Sequence, residues 1–190
     1  MVDLVSEAVR LEAFLQSHGW RYCFIGGLAV QHWGEPRLTR DLDLSLLTGF
    51  GGEASYVDAL LGVYLPRIEA ARDFALARRV LLLRSEGGIG IDVSLAAYPY
   101  EELVITRSVP VEMLPGSAIR LCSPEDLIVM KMFAGRDTDL RDVRSVIVRQ
   151  GVGVLDWRYI EANLAELAEV KDDPSLLLRL RKILESVGRR

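Results

Sequence analysis

FIGGLAVQHWGEPRLTRDLDLSLL, residues 24–47, ends an apolar run in two adjacent glycines and, after thirteen intervening residues, places two aspartates on either side of one leucine. From Arg40 to Leu47 the chain alternates, with Leu42, Leu44 and Leu46 on one face and Asp41, Asp43 and Ser45 on the other, as successive residues of a strand do. The aspartates therefore share the open face of a strand whose other face is buried. Upstream, Tyr22-Cys23-Phe24-Ile25 reads as a short buried strand, Gly26-Gly27 as a turn, and Leu28–Trp33 as a helix stopped by Gly34 and Pro36.

Outward from this unit, Leu4, Ala8, Leu11, Phe14 and Leu15 recur at helical spacing and predict an opening amphipathic helix. Residues 53–65 predict another. Arg79–Ser85 and Ile89–Leu95 are apolar runs joined by Glu86-Gly87-Gly88, a hairpin signal. In the second run Gly90, Asp92 and Ser94 share one face, so a third strand carboxylate appears. Short apolar pieces at 109–114 and 119–122 suit edge strands. Ser123-Pro124-Glu125-Asp126 then opens a helix with a capping serine, proline at the first helical position and acids in the first turn. Helices are expected at Pro124–Ala134, Asp137–Gln150, Trp157–Val170 and Pro174–Val187. The reading is an α/β (α+β) chain: a small mixed sheet flanked by helices over residues 1–120 and a helical region over 121–190.

Composition narrows the function. Of the 190 residues 50% are apolar and 26% charged, an ordinary globular balance. The net charge of -4 argues against a general nucleic-acid coat. Arg179, Arg181, Lys182, Arg189 and Arg190 concentrate positive charge near the C-terminus, which suits a solvated helix face or a local basic groove. Cys23 and Cys122 stand far apart and outside any metal-binding spacing. The N-terminal residues lack the pattern of a signal peptide and no run is long enough to span a membrane, so a reducing cytoplasm and no membrane partner are expected.

The acidic residues carry the chemistry. Aspartates at i and i+2 of a strand project from one face roughly 6–7 Å apart, and magnesium prefers such hard oxygen ligands. Two ions about 4 Å apart can clamp the attacking and leaving oxygens of a phosphoryl displacement. Asp41, Asp43 and, from a neighbouring strand, Asp92 supply a candidate ligand set. A Gly-Gly turn at a helix start supplies the complement, because backbone N–H groups can approach a phosphate with no Cβ in the way. Alternation alone equally suits a solvated strand face for the aspartates, and the glycines alone suit an ordinary tight turn.

Taken together, Ile25-Gly26-Gly27 and Asp41-Leu42-Asp43-Leu44 resemble the hydrophobic-Gly-Gly/Ser, spacer, Asp-hydrophobic-Asp/Glu-hydrophobic signature of the polymerase-beta-like nucleotidyltransferase superfamily. Ile91-Asp92-Val93 is similar to its third carboxylate strand. The resemblance spans roughly residues 20–95 and implies a nucleotidyltransferase-like fold. It implies that Asp41, Asp43 and Asp92 are catalytic and hold two Mg2+ ions, with Mn2+ as an alternative, and that Gly26 and Gly27 cradle the phosphates of a nucleoside triphosphate. A nucleoside monophosphate would pass to an acceptor hydroxyl.

A narrower resemblance extends along the chain. Arg37-x-Thr39-x-Asp41-x-Asp43, the segment Glu125–Lys131 and the cluster Gly135–Asp142 are similar to the minimal AbiEii-type, abortive-infection toxin branch. That likeness implies Lys131 at the nucleotide phosphates and Asp139 or Asp142 in a supporting polar network. Arg37, Thr39 and Arg136 join the nucleotide-binding candidates, while ion-paired structure and a polar loop explain these residues as well. The branch often carries a lysine where this chain has Thr138. Its implied acceptors are a tRNA 3' end or a partner protein, with a cognate antitoxin as a further partner. A small-molecule acceptor such as an aminoglycoside is the enzymatic alternative, and a non-catalytic antitoxin or adaptor that keeps the fold is the alternative from another class.

Overall fold

Residues 41–47 do form a strand, and its leucines explain why: Leu42, Leu44 and Leu46 are completely buried, whereas Asp41 is exposed and Asp43 half-buried. The structure is a computed structural model and describes residues 3–188. Arg189 and Arg190 of the basic C-terminal cluster lie outside the described residues. In chain order the elements are α1 (Leu4–Ser17), β1 (Tyr22–Ile25), α2 (Gly26–Trp33), β2 (Asp41–Leu47), α3 (Glu53–Leu61), β3 (Leu65–Pro66), α4 (Ala71–Arg78), β4 (Val80–Arg84), β5 (Gly90–Ala96), α5 (Pro99–Arg107), β6 (Val109–Leu114), β7 (Ser117–Leu121), α6 (Pro124–Ala134), α7 (Asp137–Gln150), α8 (Trp157–Lys171) and α9 (Ser175–Gly188).

The chain divides into two compact units, Met1–Leu28 with Leu38–Cys122, and Ala29–Arg37 with Ser123–Arg190. The first contains a seven-stranded mixed sheet of order β3-β4-β5-β2-β1-β7-β6. The β2–β5 and β1–β7 pairs are parallel and the others antiparallel. On β4, β5 and β2, Leu81, Leu83, Ile91, Val93, Leu95 and the three β2 leucines are buried, and burial of such aliphatic side chains is the main force holding these strands in register.

The glycine pair is not a separate turn. β1 runs straight into α2, whose first residue is Gly26 at φ +63°. The helix expected at 53–65 ends at Leu61, because Gly62 closes it and residues 65–66 leave to pair with β4. The segments that form α4 and α5 carry no periodic signal in the sequence. The strand expected at 119–122 is not an edge: β7 lies between β1 and β6, its Leu121 paired with Phe24.

The second unit is helical, and α6 to α9 begin and end within one residue of the expected positions. Ser123 caps α6 by accepting from the Asp126 amide at 3.1 Å, Pro124 takes the first helical position, and Gly135 ends the helix at φ +72°, where a side chain is disfavoured. Leu127, Ile128, Met132, Val143, Ile147, Ile160, Leu164 and Leu180 form its buried interior. The end of α2 is tied to α7 by polar contacts: Gln150 donates to the Trp33 carbonyl and Arg149 to the Gly34 carbonyl, both at 2.7 Å. Among the described residues no helix is long and apolar enough to cross a membrane.

Candidate active site

The alternation of β2 and β5 decides where the acidic side chains stand. In the parallel ladder Asp43 pairs with Asp92, and Asp41 with Gly90, so all three carboxylates rise from the same face of two adjacent strands. On the other side of β2, Ile25 at the end of β1 is opposite Asp43, which delivers the following Gly26-Gly27 to the same carboxylate. The Gly27 amide donates to Asp43 Oδ2 at 3.2 Å. This places a carboxylate at the amino end of α2, where the free N–H groups and the positive end of the helix dipole favour negative charge.

Three glycines make this approach feasible. A Cβ on Gly26 would lie 2.0 Å from Asp43 Oδ2, one on Gly27 would lie 2.3 Å from Thr39 Oγ1, and one on Gly90 would lie 2.1 Å from Asp41 Oδ1. Gly26 is required twice over, since its φ of +63° is also costly for an L side chain. Thr39 packs against Gly27 and its hydroxyl donates to the Asp41 carbonyl at 3.4 Å.

Arg67, one residue past β3, completes the neighbourhood. Its guanidinium is hydrogen-bonded to Asp92 and stands 4.0 Å from Asp41 Oδ1. No sequence signal marks Arg67, because the two-residue strand before it is too short for periodicity. Gly90 is visible in the sequence on the carboxylate face, but its role in clearing space for Asp41 depends on strand pairing. The acidic set accommodates a cation, since it already holds a guanidinium. Among the described residues no three His, Cys, Asp or Glu side chains are gathered closely enough to hold a metal ion as they stand.

The remaining candidates gather in the second unit. Lys131, almost fully buried on α6, donates to Asp139 at 2.9 Å and lies 3.0 Å from Asp142, both on α7. Arg136 bonds Asp139 at 2.6 Å, and Arg37 grips Asp142 with two bonds of 2.8 Å. Burial pushes both carboxyl groups up, yet the bonds and charges of Arg136, Arg37 and Lys131 outweigh it and hold both below the usual carboxylate range. The structure thus brings Gly26, Gly27, Thr39, Asp41, Asp43 and Asp92 together in the first unit. It gathers Arg37, Lys131, Arg136, Asp139 and Asp142 into one ion-pair network in the second.

Residues 97–176, less than half the chain, match the model of a family described as a nucleotidyltransferase of unknown function (DUF6036). Among solved structures the chain is similar to an antigenic nucleotidyltransferase-like protein from Paracoccidioides brasiliensis, with 20% identity, coverage of 94% of this chain and 92% of that one, and a TM-score of 0.55. It is also similar to ANT(2")-Ia in complex with adenylyl-2"-tobramycin, with 13% identity, coverage of 88% and 98%, and a TM-score of 0.56. No curated protein matches the sequence. With the sheet order and these likenesses together, the chain has a nucleotidyltransferase-like fold.

Proposed function

We propose that the protein is a metal-dependent nucleotidyltransferase that moves a nucleoside monophosphate from a nucleoside triphosphate to an acceptor hydroxyl. The observation that carries this reading is the shared register of Asp43 and Asp92, with Asp41 one pleat away and the amino end of α2 against Asp43. Asp41, Asp43 and Asp92 would hold Mg2+, with Mn2+ as the alternative, and the metal would supply charge neutralisation at the transferring phosphoryl group.

Within this reading the chain's own groups bind and orient. The amino end of α2 at Gly26-Gly27 faces the triphosphate, and Thr39 fixes the strand entry beside it. Asp92, whose side chain is partly exposed, takes the acceptor's proton on a carboxylate oxygen as the acceptor oxygen bonds to the α-phosphorus. The bond from that phosphorus to the bridging oxygen breaks and pyrophosphate leaves. Positioning and electrostatic stabilisation provide most of the rate. Arg37, Lys131 and Arg136 enter this reading indirectly: with their charges committed to Asp139 and Asp142, they hold the helical unit together.

The acceptor has two readings. The AbiEii-type resemblance favours an RNA 3' end or a protein, with an antitoxin as regulator. The likeness to ANT(2")-Ia, whose structure holds an adenylylated tobramycin, together with the net charge of -4, favours a small polycationic acceptor. Incubation with each α-phosphate-labelled nucleoside triphosphate, Mg2+ and, separately, tRNA, protein extract and aminoglycosides tests both. Label in one acceptor class supports the reading and selects the acceptor. Nucleotide binding without transfer to any class supports the adaptor alternative instead.

A further inference from the structure

The main-chain N–H of Arg67 donates to the Leu82 carbonyl at 3.0 Å, and Leu82 is the β4 residue directly opposite Asp92 on β5. Arg67 is therefore pinned at the register of Asp92, two strand spacings or about 10 Å away, a gap that its extended side chain crosses. It arrives against Asp92 and near Asp41, whose side chains are 38% and 54% exposed. Gly90 leaves the space: a Cβ there would also stand 3.1 Å from the Arg67 guanidinium.

Three carboxylates on one face of two adjacent strands repel one another unless a cation lies among them. We propose that Arg67 is the resident counter-cation of this site, neutralising Asp41 and Asp92 when no metal is bound and leaving when a divalent ion enters. The inference rests on the proposed reading of Asp41, Asp43 and Asp92 as metal ligands. Its consequence is that metal affinity is set below what the bare carboxylates would give, by the fraction of molecules in which the guanidinium is in place. It also means that the metal-free protein keeps its acidic face ordered.

Mn2+ binding to the full-length protein, followed by the paramagnetic resonance of the free ion, tests this. Arg67→Gln should bind Mn2+ roughly threefold to fivefold more tightly than the wild type, the upper range of a partly exposed ion pair. Arg67→Lys, which keeps the charge but loses the forked donors, should fall between them. Arg84→Gln removes an equal charge from β4 opposite Gly90 and should change affinity less than about twofold. In chelator, Arg67→Gln should melt below the wild type, and saturating Mn2+ should close that gap. Equal or weaker Mn2+ binding by Arg67→Gln, or an equal gain in Arg84→Gln, overturns the role of Arg67 while the metal site itself stands. Failure of both wild type and Arg67→Gln to bind Mn2+ overturns the metal-site reading as well.

Discussion

Asp43 and Asp92 stand directly opposite each other in the parallel β2–β5 ladder, a strand spacing apart on the face opposite the buried leucines of β2. Two carboxylates at one register position of neighbouring strands are unfavourable unless amide donors or cations compensate them. Here the Gly27 amide serves Asp43 and the Arg67 guanidinium serves Asp92.

Gly26 should tolerate no side chain. Its φ is positive and a Cβ at this position would come within 2.0 Å of Asp43 Oδ2, so Gly26→Ala both strains the backbone and displaces the carboxylate. We expect a loss of about 1–3 kcal/mol in stability and at least about a hundredfold loss of nucleotidyl transfer. Gly153→Ala, where a Cβ meets open space, should leave both unchanged. Thermal melting and label transfer on the same preparations check this.

Gly90→Ala separates site geometry from folding. The Cβ would meet the far end of the Asp41 side chain, which can turn aside, rather than backbone. Stability should change by less than about 1 kcal/mol, while divalent-ion affinity falls roughly tenfold. Calorimetric titration with Mn2+ beside a denaturant melt measures the two effects independently.

Lys131 is predicted to be a linchpin of the helical unit. Lys131→Met would leave the nearly buried Asp139 and Asp142 with only their arginine partners, and removing one partner of a buried pair typically costs about 3 kcal/mol or more. Because both carboxyl groups are held below their unfolded values, their contribution is present above about pH 4 and is lost as pH falls through their folded values. Acid unfolding of the wild type should therefore set in below about pH 4, and Lys131→Met should shift its onset to higher pH. Circular dichroism against pH reads this directly.

Glu7 behaves in the opposite sense. It is fully buried in α1, its Oε2 accepts from Arg10 at 3.1 Å, and its Oε1 has no hydrogen-bond partner among the described residues. Burial raises its carboxyl above the ordinary value, so the folded state binds a proton more readily than the unfolded one and stability falls as pH rises through that window. Glu7→Leu should stabilise the protein by about 1–2 kcal/mol at neutral pH, with Arg10 remaining in solvent. The gain should shrink as the pH is lowered. Urea melts at pH 7 and pH 5 test the sign.

How much of the fold and site is legible in the sequence depends on whether a local pattern exists. Asp41, Asp43 and Asp92 can be assigned to one kind of strand face because buried leucines, isoleucine and valine alternate with them. The α6 and α7 boundaries can be read because Ser123, Pro124 and Gly135 are strong punctuation. α4 cannot: it ends at Arg79 in a left-handed conformation with no glycine to mark it. β7 is misplaced at an edge by local reading because strand order depends on pairing across the sequence, and Arg67 enters the site only through the pairing of residues 65–66 with β4. The ion pairs of Lys131 likewise need the packing of α6 on α7, although the family resemblance brings the residues to notice.

The most direct test of the central claim is transfer of an α-phosphate label with Mg2+ by the wild type and by Asp41→Asn, Asp43→Asn and Asp92→Asn, each shown to melt cooperatively. The wild type should transfer the label with release of pyrophosphate, and each single substitution should lose at least about a hundredfold. Transfer that survives Asp43→Asn, or a wild type that binds nucleotide and metal yet labels no RNA, protein or small-molecule acceptor, would contradict the claim.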